Sequence, residues 1–338
     1  MSTPGNDASR VMQALDGFRL SKAVFVAVSL RLFDKLHQQS SSCHELAREL
    51  GCDPDALERI LGTCTAAGLL TLDKARYSNT LAADRFLRTD SPETLTGYVL
   101  YSDRILYRLW AHLEDAVRKG GHRWEQEFGR REGIFDHFFA TEDEKRLFLA
   151  GMTGMGLLSS PAVVAAWDLG RFRHLVDLGG ASGHLAIAAC RRYAHLRATV
   201  FDLPAVTEIA LSYIRSAGMD GRIDVVGGDF FVDPLPDADL FSVGRILHDW
   251  SEDNVVLLLR RIHSKLPPAG GLLIAERLLN DERDGPLATY LQSLNMLVCT
   301  EGKERSPSEY EALLRDVGFQ AFEFHRTGQP VDAMLAVK

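Results

Sequence analysis

Leu175-Val176-Asp177-Leu178-Gly179-Gly180-Ala181-Ser182-Gly183-His184 reads as a short apolar strand that runs into an acidic residue and a glycine-rich turn. A helical pattern follows at Leu185 to Ala189. Without a Cβ, glycines let the backbone approach a nucleotide-like ligand closely. Further on, Val200-Phe201-Asp202 places a carboxylate at the end of a second strand, where a ribose hydroxyl needs an acceptor. The chain is therefore expected to bind an adenosine-containing cofactor.

Two such cofactors compete. A dinucleotide site reads G-x-G-x-x-G and sets a pyrophosphate on a helix N-terminus. Here the spacing from Asp177 is D-x-G-x-A-x-G, with Ala181 at the middle position. An acid before the turn suits a cationic amine, such as that of S-adenosyl-L-methionine, and does not suit a pyrophosphate.

Outward from this turn the pattern alternates strands and helices. Strands are expected at His174–Leu178, Ala198–Phe201, Ile223–Val226, Leu240–Val243 and Gly271–Ala275, the signature of a doubly wound parallel sheet. Ala321–His325 and Ala333–Val337 are joined by Arg326 to Asp332, a link short enough only for an antiparallel pair. That closing hairpin favours a Rossmann-like class I methyltransferase sheet over a dehydrogenase. The catalytic domain is expected over 169–338.

Residues 1–168 read as a mainly helical, winged-helix-like dimerisation and substrate-lid domain. Asp53 is an N-cap with Pro54 at the first helical position, and Leu57, Ile60, Leu61 and Cys64 recur at helical spacing. Leu69 to Thr80 alternates like a hairpin turning at Asp73-Lys74-Ala75-Arg76. DNA contact is not expected, because Asp53, Asp55 and Glu58 on the candidate recognition helix would repel phosphates. The aromatics Tyr98, Tyr101, Tyr107, Trp110, Phe135, Phe138 and Phe139 read mainly as core, with a few available to line a pocket. Gly151, Gly154 and Gly156 sit in a helical pattern where each costs about 1 kcal/mol. Close helix packing, or close approach to a ligand, explains such a run.

The 338 residues suffice for two domains. A net charge of −8 argues against nucleic-acid or anionic-membrane partners, and no apolar run is expected to approach the roughly 20 residues of a membrane span. Met1 to Arg10 lacks the basic and apolar regions of a signal peptide. Five scattered cysteines without a C-x-x-C pair suggest neither a zinc site nor a disulfide framework. These features together lead us to expect a cytoplasmic, metal-independent enzyme.

In such sheets ligands sit at the carboxyl ends of the strands. There the sequence places Asp177, Gly179 and Gly180, then Asp202 and Leu203, then Gly228, Asp229 and Phe230, then Arg245 with His248 and Asp249, and finally Glu276. His248, with Glu276 and Glu304 as possible partners, is the candidate base. A carboxylate on one imidazole nitrogen would fix the tautomer and leave the other to take a hydroxyl proton.

From about residue 12 to 338 the chain resembles the caffeate and acetylserotonin type of S-adenosylmethionine-dependent O-methyltransferase. The matching stretches are Val176 to Gly180, Phe201-Asp202-Leu203-Pro204, Gly227 to Phe231, Arg245-Ile246-Leu247-His248-Asp249-Trp250, Ser293 to Leu297, and Thr300-Glu301-Gly302-Lys303-Glu304-Arg305. The resemblance implies His248 as general base flanked by Glu276 and Glu304, Asp202 on the ribose, and Asp229 and Phe230 on the adenine. Gly179 would line the methionine end, and Arg245 would add a contact near the cofactor. Asp249 and Asn295 would touch the substrate, with Cys299 at a substrate-contacting position where the acetylserotonin enzyme carries glutamine. It further implies a homodimer whose N-terminal module closes the partner's pocket, a small aromatic or enolic hydroxyl as acceptor, and S-adenosyl-L-homocysteine as product. By the same resemblance, the family's aromatic positions over the cofactor correspond to Phe139 and Gly156, one without a hydroxyl and one without a ring. The alternatives are a cofactor-binding relative with another reaction, such as decarboxylation or hydroxylation, or a ligand sensor.

Overall fold

The structure, a computed structural model, describes residues 7–130 and 137–338. Phe135 and the first six residues of the polar opening stretch lie outside them. The chain forms two compact units, Met1–Tyr107 with Arg146–Gly154, and Arg108–Lys145 with Met155–Lys338. The domain boundary expected at 168/169 thus falls inside the second unit. The helix Glu142–Ala165 contributes residues to both.

In the first unit, the helix Pro54–Ala66 starts where Asp53 accepts from the Ala56 N–H, with Pro54 in the first turn. Strands β1 (Leu70–Asp73) and β2 (Arg76–Asn79) form the expected antiparallel hairpin. Leu32, Phe33, Leu46, Leu57, Leu61, Cys64 and Tyr77 make its core. A side chain on Gly154 would collide with backbone at Thr94, and one on Gly151 would press tightly on backbone at Tyr98, so close helix packing accounts for those two glycines. The first helix, Asp7–Ser29, leaves Val11, Leu15 and Phe18 exposed at helical spacing.

The second unit holds a seven-stranded sheet: β3 (His174–Leu178), β4 (Arg197–Asp202), β5 (Ile223–Gly227), β6 (Leu240–Gly244), β7 (Gly271–Glu276), β8 (Ala321–His325) and β9 (Asp332–Val337). Its order is β5-β4-β3-β6-β7-β9-β8. The first five are parallel, and β9 inserts antiparallel between β7 and β8. The strand order reverses between β3 and β6, so their carboxyl ends flank a crevice. Strand residues alternate between two cores, Leu175 and Leu240 on one face, Val176, Phe241 and Val243 on the other. Asp177 and Ser242 are register partners, and both are buried.

One helix among the described residues, Glu142–Ala165, is long and apolar enough by composition to cross a membrane, and over half of its apolar window is buried in the fold. It departs from the expectation that no apolar run reaches that length; Thr153, Ser159 and Ser160 punctuate it. Their hydroxyls bond Leu149 O, Met155 O and the His184 ring respectively.

Candidate active site

The expected residues gather along the carboxyl edge of the parallel strands. Near the end of β3, Asp177 Oδ1 accepts from Ser242 Oγ at 2.6 Å, while Oδ2 is buried with no hydrogen-bond partner among the described residues. Burial pushes this carboxyl up to about 7, against the pull of Ser242. Gly179 adopts φ +64, and a Cβ there would strike Ile246. Ala181 occupies the left-handed region at φ +48, where alanine is strained. Its N–H donates to Asp202 Oδ2 at 2.8 Å, and the Leu203 N–H donates to Oδ1 at 2.7 Å. Asp202 thereby ties two cofactor loops together while each oxygen keeps a lone pair for a ligand hydroxyl. Burial raises it to about 6.

At the end of β5, Gly228 N donates to Asp202 O, and Asp229 Oδ1 accepts from Phe231 N at 2.8 Å. Phe230 is buried, its ring edge-on to Phe231 with centroids 4.8 Å apart. After β6 the chain turns through Arg245 at φ +58, with its N–H on Ala275 O at 2.9 Å. Its Nη1 is buried without a partner among the described residues.

His248 lies on a short 3-10 turn, Leu247–Asp249, and is 3% exposed. Its Nδ1 is 2.7 Å from Glu304 Oε1 and 3.4 Å from Glu276 Oε2. Glu276, at the end of β7, accepts the Ile246 and Leu247 N–H groups on Oε1, both at 2.9 Å. Its direct task is thus to clamp the turn that presents His248. The Nε2 of His248 looks the other way, 3.7 Å from Asp249 Oδ1. Burial raises both glutamates, Glu304 to about 8, with Arg245, Arg277 and Arg305 pulling it back. Asp249 is likewise raised to about 6 by burial. The trio of His248, Glu276 and Glu304 offers ligand atoms within 4.8 Å of one another, but Nδ1 and Glu276 Oε1 already hold these internal bonds.

The helix Leu287–Cys299 brings in the two remaining candidates. Asn295 Oδ1 accepts from Trp110 Nε1 at 2.8 Å. The Cys299 thiol is 3.8 Å from the same oxygen, and burial together with the charge of Asp249 raises its pKa. Glu301 N donates to Asp249 O at 3.3 Å, joining this segment to the His248 turn. Sequence reading missed Ser242 and the Trp110 link. Register pairing of β3 with β6 is the signal for the first. No signal marks the second, since a tryptophan 185 positions away looks like core.

An acid with an orphaned buried oxygen, a glycine turn closed by Ile246 and a carboxylate bridging two loops fit the amine, methionine chain and ribose of S-adenosylmethionine. Fold and site together define a class I S-adenosylmethionine-dependent methyltransferase. Residues 110–320 match the family model described as O-methyltransferase domain, and residues 12–89 the O-methyltransferase dimerisation domain. Acetylserotonin O-methyltransferase of Bos taurus is 40% identical, covering 100% of this chain and 99% of the relative. The crystal structure of human N-acetylserotonin methyltransferase in complex with SAM superposes with a TM-score of 0.94 at 37% identity, covering 100% of this chain and 99% of that one. PigF with SAH follows at a TM-score of 0.88 and 29% identity, over 98% and 99%. The chain belongs to the O-methyltransferase family and is an S-adenosylmethionine-dependent O-methyltransferase; the alternatives of another reaction or a sensor are not favoured. Its dimerisation domain points to a homodimer acting on a small molecule.

Proposed function

We propose that the enzyme methylates a hydroxyl of a small aromatic or enolic molecule, with His248 Nε2 as general base. The observation that carries this reading is the 2.7 Å contact of His248 Nδ1 with Glu304. With Nδ1 so occupied, the imidazole turns Nε2 toward Asp249, on the side where Asn295 and Cys299 lie. S-adenosylmethionine, when bound, supplies an electrophilic methyl group and leaves as S-adenosylhomocysteine. Asp177 would take its ammonium, Gly179 and Gly180 its methionine chain, Asp202 and Leu203 its ribose. Gly228, Asp229 and Phe230 would hold the adenine, and Arg245 an anionic group beside the turn. The protein's work is then to hold the hydroxyl oxygen in line and to accept its proton.

Relatives named for acetylserotonin make hydroxyindoles the first acceptors to test. Cys299 counts against N-acetylserotonin itself, since a thiol is a weak donor to an amide. The net charge of −8 favours such small molecules over nucleic acid or anionic membrane. Cytoplasmic residence belongs to the same reading. The exposed stripe of Val11, Leu15 and Phe18 supports association of two copies.

The experiment is transfer of label from radiolabelled S-adenosylmethionine to a panel of hydroxyindoles, phenols, catechols and enols, with excess EDTA in a parallel series. Wild type should transfer label with or without EDTA. His248→Ala should keep cofactor affinity and lose about 10²–10⁴-fold in turnover. Unchanged turnover in that variant would reduce His248 to a structural residue.

A further inference from the structure

Gly156 and His184 form a pair that the reaction described above leaves unused. A Cβ on Gly156 would collide with the His184 ring at Cδ2 and Nε2, so the imidazole lies against the bare helix backbone. One turn along the same helix, Ser160 Oγ is 2.8 Å from His184 Nδ1. A mid-helix glycine costs about 1 kcal/mol relative to alanine. Here the helix accepts that cost and admits a ring.

The ring is placed to meet a ligand. His184 opens the helix His184–Arg192 directly after Gly183, the last residue of the glycine turn. That turn carries the orphaned Asp177 oxygen on one side, and Arg245 with its orphaned Nη1 follows the neighbouring strand β6. Burial and the Arg245 charge keep the imidazole neutral, holding it down to about 4. His184 Nε2 has no hydrogen-bond partner among the described residues. If Ser160 donates to Nδ1, Nε2 carries a hydrogen to give. A methionine end is a zwitterion. Asp177 suits its ammonium, and its carboxylate requires donors nearby.

We propose that His184 binds the methionine carboxylate of the cofactor through Nε2–H, with Ser160 setting its tautomer, Gly156 admitting its ring and Arg245 supplying the charge. The proposal rests on the cofactor reading of the glycine turn.

The test is calorimetric titration of the full-length protein with S-adenosylhomocysteine and with 5′-methylthioadenosine, which keeps the nucleoside and lacks the amino-acid end. His184→Ala should weaken S-adenosylhomocysteine by roughly tenfold or more, the effect of one hydrogen bond to a charged group. It should leave 5′-methylthioadenosine within about twofold of wild type by the same reasoning. His184→Gln, which keeps an N–H donor, should recover part of the loss. Gly156→Ala, which displaces the ring, should reproduce the selective loss and carries the test if His184→Ala fails to fold. Equal weakening of both ligands would make His184 a loop support, and unchanged S-adenosylhomocysteine affinity would remove it from the site. Failure of wild type to bind either ligand would instead overturn the cofactor reading.

Discussion

Replacing Glu304 by glutamine isolates the base from the rest of the site, because it keeps the shape and removes the charge. In the native site Glu304 Oε1 sits 2.7 Å from His248 Nδ1, both side chains are buried, and Oε2 has no partner among the described residues. An ionised Glu304 requires the proton on Nδ1 and leaves a lone pair on Nε2. Glutamine can turn either way. With its carbonyl toward Nδ1, its NH2 takes the Oε2 position and leaves two N–H groups buried and unpaired, each at about 1–3 kcal/mol. With its NH2 toward Nδ1, one N–H is bonded, and one N–H and the carbonyl oxygen are left unpaired, the oxygen as in the native protein. The second orientation wins, and it drives the imidazole proton onto Nε2, where it blocks the base. Glu304→Gln should therefore lose about 10²–10⁴-fold in single-turnover methyl transfer at saturating cofactor, with S-adenosylhomocysteine affinity within about twofold of wild type, since no cofactor contact is removed. The pH profile adds a second readout. Burial raises Glu304 to about 8, so below that pH its carboxyl keeps a proton and donates it to Nδ1. Wild-type turnover should rise through pH 8, and that rise should vanish in the variant. A variant that keeps a third of the wild-type rate, or keeps the rise, would refute the tautomer argument.

Cofactor affinity should also depend on pH. Asp177 titrates near 7 in the free protein, and only its ionised form attracts the ammonium. S-adenosylhomocysteine binding should weaken by roughly tenfold per pH unit below 7 and level off above it, whereas a flat calorimetric profile would sever Asp177 from the ligand. Leu15→Glu combined with Phe18→Glu places charge on the exposed stripe of the first helix and should halve the mass seen by light scattering; persistence of the dimer would locate the interface elsewhere. Ala181→Gly relieves a left-handed alanine worth about 1–2 kcal/mol, against about 0.4–1 kcal/mol of added freedom in the unfolded chain. Urea denaturation should show equal or slightly higher stability, and a loss above about 1 kcal/mol would mean that the methyl group packs usefully.

Most of the sheet was legible because its signals are local. Each of the five parallel strands is a short apolar run ending in a polar or glycine residue, and the observed strands depart from the expected ranges by at most one residue at either end. What was not legible depends on pairing between distant segments. The insertion of β9 between β7 and β8 follows from backbone pairing that no periodicity encodes. The run of Gly151, Gly154 and Gly156 looked uniform, yet two of its members serve helix packing and the third faces an imidazole. Glu276 looked like a partner of the base, but its closest bonds are to the amides of Ile246 and Leu247. A carboxylate at a strand end states that something will be held there. It does not state whether that is a ligand, a side chain or the protein's own turn.

That ambiguity has an energetic side. Asp177, Asp202, Asp249 and Glu304 are all raised by burial, to about 7, 6, 6 and 8. In each case the folded form holds its proton at pH values where the unfolded form has released it. These four groups therefore take stability away from the free protein as pH rises from about 4 toward 8, the reverse of the usual salt-bridged carboxylate. The two cofactor acids recover what burial removed when an ammonium reaches Asp177 and a ribose hydroxyl donates to Asp202. Ligand binding and ionisation are thus one equilibrium at this edge. Ala181 and Arg245 hold left-handed backbone in the turns beside these acids, so the edge that carries buried acids and backbone strain is also the edge that cofactor binding would stabilise.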